Sequence, residues 1–252
     1  MHNYKKILLA AAATLAFGAQ AVAADKLKIG TEGAYPPFNL IDASGQVGGF
    51  DVEIAQALCA KMGAECEVVT SDWDGIIPAL NAKKFDFLAA SMSVTEERKQ
   101  AVDFTDPYYR SGLSIWVQEE TDDVSSISDF EGKRVGSTLG ETGNQWATEQ
   151  ADGRWRNQTF QGLPDMLNAL TTGRIDVMVA DDIPVYVALN EDDIAIKQVD
   201  VGDLPRFPAA IAVQKGSPQL KEALNEALAE IKADGTYQEI VVKWIGEGVE
   251  FN

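Results

Sequence analysis

The sequence predicts an α/β protein whose two similar lobes face one cleft. Residues 79–91 and 169–181 are alike in outline, because each reads as a helix end, a polar turn, an Asp, an apolar strand and one polar residue. Strand and helix patterns also alternate along the chain, which favours mostly parallel sheets flanked by helices. A length of 252 residues allows one large domain or two small ones. Ordinary helix–strand alternation is the other explanation of the repeat.

Residues 1–24 have the pattern of a cleavable signal peptide. Lys5 and Lys6 form a positive start, an apolar run follows from Ile7 to Phe17, and small residues precede a cleavage point after Ala23 or Ala24. The apolar run, about eleven residues, is too short to span a bilayer. We therefore expect the mature protein to be exported.

The composition argues against several functions. Loss of Lys5 and Lys6 with the signal changes the formal charge from −18 to −20, and such an acidic surface repels nucleic acid and anionic membrane. The only histidine, His2, leaves with the signal. The mature chain then has no imidazole for a catalytic triad or a metal site. We expect no enzyme activity, no cofactor, no metal and no nucleic-acid partner.

Two cysteines, Cys59 and Cys66, lie seven residues apart in this exported chain. A disulfide is the expected state in that compartment. It would tie the end of a helix to the next strand and contribute roughly 2–3 kcal/mol by closing a short loop. Two free buried thiols are the alternative.

The first half of the chain begins with a strand at 27–31 and a loop at 32–38. Asp51 is predicted to cap a helix, because apolar residues recur behind it at helical spacing until Gly63. The later elements of this half are a hairpin turn at 42–45, a strand at 66–69, a helix at 73–82 and a strand at 85–90.

The second half repeats the pattern. It has a strand at 133–136, a glycine-containing loop at 139–143, helices near 143–151 and 164–172, and a strand at 174–180. A strand and two helices after residue 207 are predicted to return to the first lobe. Lobe 1 is then 25–110 and 208–252, and lobe 2 is 111–207. The two crossings, near 110–113 and 203–208, form a two-segment hinge.

Candidate ligand-binding side chains lie where the predicted strands end. In open α/β sheets, ligands bind beside the carboxyl ends of the strands. Hydroxyl groups and an arginine suit a carboxylate, an aspartate suits an ammonium group, and aromatic faces suit a side chain. The candidates of these types are Glu32, Tyr35, Trp73, Ser91, Ser93, Arg98, Thr142 and Asp181.

Arg98 is the most specific of these candidates. Ser93 to Glu96 fits a capping box, so a helix is predicted to begin near Thr95 with Arg98 in its first turn. A cation there opposes the helix dipole, which makes sense if an anion lies between the guanidinium and the free N–H groups. The plainer interpretation is a surface Arg paired with Glu97 or a nearby Asp.

Plainer interpretations also exist for the other candidates. A tryptophan at a helix start, such as Trp73, is more often core than ligand platform, and Tyr35 can simply pack beside two prolines. Asp86 and Asp176 occupy matched positions before the repeated strands. We predict that these two brace the turn and bind no ligand.

Five blocks of the sequence resemble a known family. They are residues 30–38, 49–51, 73–80, 91–98 and 233–237. The chain is similar over its whole mature length to the bacterial periplasmic solute-binding proteins of family 3, and particularly to the lysine/arginine/ornithine-, histidine- and opine-binding members. The resemblance implies a type II periplasmic-binding-protein fold, a Cys59–Cys66 disulfide, and a periplasmic monomer that delivers an amino acid to an inner-membrane ABC permease.

The resemblance also implies a role for each candidate. Arg98, Ser93 and Thr142 would hold the α-carboxylate. Asp181 and Ser91 would hold the α-ammonium group. Tyr35 and Trp73 would sandwich the side chain of the ligand. Glu32 stands where the relatives that bind basic amino acids have an Asp, which contacts the cationic group at the end of that side chain.

Three positions depart from the pattern of these relatives. Ala90 stands where they have Ser, and Glu141 and Gly143 stand where they have Ser and Gln. A cationic amino acid (arginine, lysine, ornithine or histidine) or an opine is therefore implied as the class of ligand, and its identity is left open. A periplasmic dehydratase on this fold, with Glu32 as acid or base, is the main alternative. The input module of a receptor is a third.

Overall fold

The computed structural model describes residues 26–191 and 194–247. Residues 1–24, the predicted signal peptide, lie outside the described residues. The first half forms β1 (Lys26–Thr31), β2 (Ala34–Tyr35), β3 (Asn39–Ile41), β4 (Val47–Gly48), α1 (Phe50–Lys61), β5 (Glu65–Thr70), α2 (Trp73–Asn81), β6 (Phe87–Leu88), α3 (Glu96–Ala101) and β7 (Val102–Gln118). The second half forms β8 (Arg134–Thr138), α4 (Thr142–Ala151), β9 (Arg156–Phe160), α5 (Leu163–Thr171), β10 (Val177–Asp181), α6 (Asp182–Glu191), β11 (Ile196–Val199), β12 (Arg206–Gln214), α7 (Pro218–Ala233) and α8 (Thr236–Trp244).

Nine of these strands form one mixed sheet in the order β5-β1-β6-β12-β7-β10-β8-β9, with β11 also on β7. The sets β5-β1-β6 and β9-β8-β10 are parallel and have the same topology, with the first strand of each series in the middle. We call β1 to α3 together with β12, α7 and α8 lobe 1, and β8 to α6 together with β11 lobe 2. The α/β class is confirmed, and the residue limits given above for the lobes stay a prediction.

The sequence repeat corresponds to a structural repeat. The Asp86 carboxylate accepts a hydrogen bond of 2.7 Å from the backbone N–H of Lys28, on the neighbouring strand β1. In lobe 2, the Asp176 carboxylate accepts one of 2.8 Å from the N–H of Arg134, on β8. Both aspartates therefore anchor the turn before a central strand, as predicted.

A single long strand, β7, links the two lobes. It pairs antiparallel with β12 from Val102 to Gly112 and with β10 and β11 from Leu113 to Gln118. Gly112 lies opposite Arg206 on this ladder. Both predicted crossings therefore lie on one pair of hydrogen-bonded strands.

The apolar face of α1 is buried, as the helical spacing of its apolar residues predicted. Ile54, Ala55 and Leu58 are buried against the lobe 1 sheet together with residues of α7 and α8. The disulfide between Cys59 and Cys66 is present and joins the end of α1 to β5, with 6.2 Å between the two Cα atoms. Among the described residues, no helix combines the length and the apolar character needed to cross a membrane.

Two predicted helix caps are corrected by the structure. Asp51 was expected to cap α1, but Gly49 is the capping residue and Asp51 is fully buried in the first turn. Its carboxylate accepts hydrogen bonds from other parts of lobe 1, so it cannot serve the helix N-terminus. At α3 the predicted start is right, but Thr95, not Ser93, supplies the capping oxygen, which accepts from the Arg98 N–H.

Candidate ligand-binding cleft

A cavity of about 510 Å³ lies between the lobes. Lobe 1 contributes α2 and the start of α3, and lobe 2 contributes the β8–α4 loop and the first turn of α4. Three predicted binding residues line it: Trp73, Arg98 and Thr142. The fold therefore brings groups from distant parts of the sequence into one site.

The Arg98 guanidinium crosses this cavity. Its Nη1 donates to the Ser93 carbonyl and its Nη2 to the Gly140 carbonyl of lobe 2, both at 3.0 Å. It also lies 5.2 Å from the centre of the Trp73 ring, a cation–π contact. Only 11% of the Arg98 side chain is exposed, which argues against a simple surface pair with Glu97.

Thr142 opens α4 directly opposite. Its hydroxyl is buried and has no hydrogen-bond partner in the described structure. A buried polar group of this kind is costly unless something else satisfies it. Arg98, the start of this ten-residue helix and its free hydroxyl are groups of the kinds that bind anions, and we refer to Arg98 and Thr142 as the anion-binding corner.

Tyr35 and Asp181 meet across the cleft. The Tyr35 hydroxyl donates to the Asp181 carboxylate at 2.7 Å, and both line a small second cavity of about 20 Å³. Removal from water raises the pKa of Asp181 to about 6, while the bond from Tyr35 and the charge of Arg98 act in the opposite direction. This carboxylate is placed to meet a cation.

Glu32, which lies on lobe 1, is a second acidic residue. Its pKa is raised to about 7, mainly by partial burial and also by the nearby charges of Asp72 and Asp74. A cationic group beside Glu32 would relieve this repulsion.

Glu141, at the N-cap of α4, brings a third carboxylate into the cleft. Burial raises its pKa to about 8; Asp181 and Glu32 contribute, whereas Arg98 acts in the opposite direction. Its Oε2 lies 4.0 Å from the Arg98 Nη2. The resemblance placed Glu141 among the departures that border the cleft, but Glu141 was not among the predicted ligand-binding residues.

Three predicted binding residues, Ser93, Ala90 and Ser91, do not line either cavity. Ser93 is buried and holds Arg98 through its carbonyl. Ala90 is buried in the core cluster that includes Trp73. The Ser91 hydroxyl donates to Asp51 inside lobe 1, at 2.9 and 3.0 Å, and its backbone N–H donates to the Tyr108 hydroxyl.

Sequence reasoning missed the buried network around Asp51. This carboxylate accepts from Ser91, from the Tyr108 hydroxyl at 2.5 Å and from the Asn39 amide at 2.9 Å. Burial raises the pKa of Asp51 to about 7, and these three hydrogen bonds oppose the rise. Ser91, three residues after the end of β6, has a φ of 50° and is hydrogen-bonded within this network.

Acidic side chains outnumber basic ones among the residues that line the two cavities. The Arg98 guanidinium and the carboxyl groups of Asp181 and Glu32 all act electrostatically on Glu141. In the described part of the chain, no group of three or more His, Cys, Asp or Glu side chains is arranged to hold a metal ion.

Comparison with known proteins agrees with this geometry. The profile of the "bacterial extracellular solute-binding proteins, family 3" matches residues 27–247. The ABC transporter arginine-binding protein 1 of Escherichia coli K12 is 35% identical, over 95% of this chain and 98% of that protein.

Two solved structures have the same fold. An ancestral arginine-binding protein bound to arginine is 38% identical, with a TM-score of 0.83 over 89% of this chain and 100% of that one. AncCDT-1, an ancestral amino acid-binding protein and precursor of cyclohexadienyl dehydratase, is 36% identical, with a TM-score of 0.80 over 87% and 95%. The predicted type II periplasmic-binding-protein fold is thereby confirmed. The chain belongs to the bacterial extracellular solute-binding proteins of family 3.

Proposed function

We propose that this protein is the periplasmic substrate-binding component of an ABC importer and captures a cationic amino acid in the cleft. Arginine, lysine, ornithine and histidine are the candidates, together with opines derived from them. The observation that carries this proposal is the pairing of an anion-binding corner at Arg98 and Thr142 with the acidic groups Asp181 and Glu32. A monomer would present the bound ligand to a membrane permease.

The cleft offers a place for each end of such a ligand. Arg98 and the start of α4 suit the α-carboxylate. Asp181 suits the α-ammonium group, and Glu32 suits the distal cation. Tyr35 and Trp73 provide aromatic surface along the aliphatic part.

Ligand capture would work by closure of the lobes. Arg98 reaches Gly140 and Tyr35 reaches Asp181, so side chains of lobe 1 already contact lobe 2. A ligand that contacts both lobes binds the closed state more tightly and shifts the population toward it. No covalent chemistry is needed for that cycle.

Calorimetry on ligand-stripped protein tests the proposal. We expect heat of binding with at least one of the four amino acids or an opine, and a micromolar dissociation constant would correspond to about 8 kcal/mol. Arg98→Ala should abolish binding of every α-amino acid, whereas Arg156→Ala, an exposed control on β9, should bind normally. The absence of heat with all these ligands would reject a cationic ligand, and unchanged affinity in Arg98→Ala would remove Arg98 from the site.

A periplasmic dehydratase is the second candidate. The likeness to AncCDT-1 and the raised pKa of Glu32, near the value that suits a general acid, favour it. The relatives named above are binding proteins, so we rank it below ligand capture. Incubation with prephenate or arogenate, followed by assay for an aromatic product, separates the two: product formation would favour the enzyme.

A further inference from the structure

Asp182, the first residue of α6, is bonded to both strands of the hinge. Its Oδ1 accepts a hydrogen bond of 3.0 Å from the Ser111 hydroxyl and one of 3.2 Å from the Gly112 N–H, both on β7. Its Oδ2 forms an ion pair of 3.5 Å with Nη1 of Arg206, on β12. A third hydrogen bond to Oδ1, of 2.8 Å, comes from the N–H of Ile183 in α6 itself. We call these four contacts the hinge clasp.

The local structure places Asp182 at this point. The ladder between β7 and β10 ends at Asp181, which pairs with Leu113. The next N–H of β7, that of Gly112, meets the Asp182 side chain instead. Gly112 leaves the space for it, because a Cβ there would lie 2.9 Å from Nη1 of Arg206 and 3.2 Å from Oδ2 of Asp182. Only 18% of the Asp182 side chain is exposed, against 56% for Arg206, so the shielded bonds from β7 contribute more than the ion pair.

The hinge clasp adjoins the carboxylate proposed to hold the ligand. Asp181, the preceding residue, accepts the hydrogen bond of Tyr35 across the cleft. In the same structure Arg98 reaches the Gly140 carbonyl, so the clasp is formed while the lobes are in contact. A rotation of lobe 2 about the crossing strands would move Asp182 relative to the β7 groups that donate to it. These bonds therefore favour the arrangement in which they are formed.

We propose that Asp182 is a positioning residue for ligand capture: the hinge clasp stabilises the closed arrangement of the lobes and so raises the affinity of the cleft. This inference rests on the proposed function, because closure raises affinity only if the cleft closes on a ligand. Asp181 contacts the ligand, and Asp182 acts on binding through the hinge. A change of Asp182 then alters affinity without the loss of a ligand contact.

Asp182→Ala removes the hinge clasp, and its effect is measured in solution. By small-angle X-ray scattering, the ligand-free variant should have a larger radius of gyration than ligand-free wild type, because more molecules are open. Saturation with arginine should bring both proteins to the same radius. By calorimetry with arginine, the variant should bind about tenfold more weakly, since apparent affinity falls with the fraction of molecules in the binding-competent arrangement.

Three further variants make the result specific. Asp182→Asn removes the charge, which also acts on Asp181, but keeps an acceptor oxygen for the β7 donors, so it should stay close to wild type. Ser111→Ala removes one donor and should weaken arginine binding in wild type but not in the Asp182→Ala background. Asp203→Ala, an exposed acid that lines the same hinge cavity, should behave as wild type. Thermal melts show whether each variant is folded.

The possible results separate this inference from the proposed function. A folded Asp182→Ala with either the ligand-free scattering or the arginine affinity of wild type overturns the inference, as does an equal loss of affinity in Asp182→Asn. Each of these results leaves capture of an amino acid standing. If wild type binds neither arginine nor the other candidate ligands, the proposed function fails, and the ligand-free scattering of Asp182→Ala still decides whether the clasp holds the lobes together.

Discussion

The Tyr35 hydroxyl donates a hydrogen bond of 2.7 Å to the Asp181 carboxylate, which lies 146 residues further along the chain and on the opposite lobe. The bond spans the cleft and engages the carboxylate proposed to hold an ammonium group. A ligand ammonium group at Asp181 would therefore share this carboxylate with Tyr35. Removal of this bond should change the balance between open and closed states.

Tyr35→Phe should open the ligand-free protein. A hydrogen bond to a charged acceptor contributes about 1.5–3 kcal/mol, enough to change the ratio of closed to open molecules by about tenfold or more. Small-angle X-ray scattering should show a larger radius of gyration. Tyr186→Phe is the control, because its hydroxyl donates to Gln198 within lobe 2. Identical scattering from Tyr35→Phe and wild type would contradict this role.

Asp51→Ala should destabilise the protein by about 3 kcal/mol, because it leaves the buried donors of Asn39, Ser91 and Tyr108 without their acceptor. Urea unfolding measures the change in the free energy of unfolding. Asp122→Ala, which removes only an exposed ion pair with Lys197, should cost less than about 1 kcal/mol. Equal costs for the two variants would show that the buried network adds little.

Stability of the ligand-free protein should fall as the pH rises from about 5 to 8. Burial raises the pKa values of Asp181, Glu32 and Glu141 to about 6, 7 and 8, above those of an unfolded chain. The folded state then holds more protons than the unfolded state over that range, so each rise in pH favours unfolding. Asp51 adds to this slope from outside the cleft. A stability that rises over this range in thermal melts would contradict the assignment.

Binding of a cation should release protons over the same range. A cationic ligand stabilises the ionised form of these carboxyl groups, which the charges of Asp72, Asp74 and Asp182 oppose and that of Arg98 favours. Calorimetry at pH 7 in two buffers of different ionisation enthalpy counts the protons released. Glu141→Gln should release fewer. Equal heats in both buffers would show that the cleft carboxylates are already ionised.

The disulfide should matter for stability and not for binding. Cys59→Ser combined with Cys66→Ser removes the cross-link between α1 and β5, and we expect a loss of roughly 2–3 kcal/mol in urea unfolding. Ligand affinity should be unchanged, since neither cysteine lines the cleft cavities described above. An equally stable double variant would show that the short loop is already ordered in the unfolded chain.

Local patterns were sufficient to predict much of the fold. The sequence patterns predicted α1, α2 and α5 to within about two residues, and the matched aspartates Asp86 and Asp176 do brace equivalent turns. Asp51 shows where this reasoning stops. Its position before an apolar run is typical of a cap, but its partners Asn39 and Tyr108 reach it only when separate segments pack together. No local pattern reports that burial.

The candidate site could likewise be predicted only in part from the sequence. Residue types at strand ends indicated Arg98, Thr142 and Asp181, and the structure places all three at the cleft between the lobes. The direct bond from Tyr35 to Asp181, and the approach of Glu141 to Arg98, depend on how one lobe meets the other. Such contacts leave no spacing signal in the sequence. A Glu where a Ser was expected was the one available clue.

The shared ladder of β7 and β12 also makes the architecture modular. Gly112 and Arg206 are opposite each other on adjacent strands, so the chain passes between the lobes in both directions at nearly one point, with about 5 Å between the strands. Lobe 2 is therefore an inserted cassette whose two ends are neighbours. Exchange of that cassette between relatives would create chimeras that combine the Glu32 and Tyr35 of one protein with the Glu141 and Asp181 of another. A short turn joining the two strands would close lobe 1 without it.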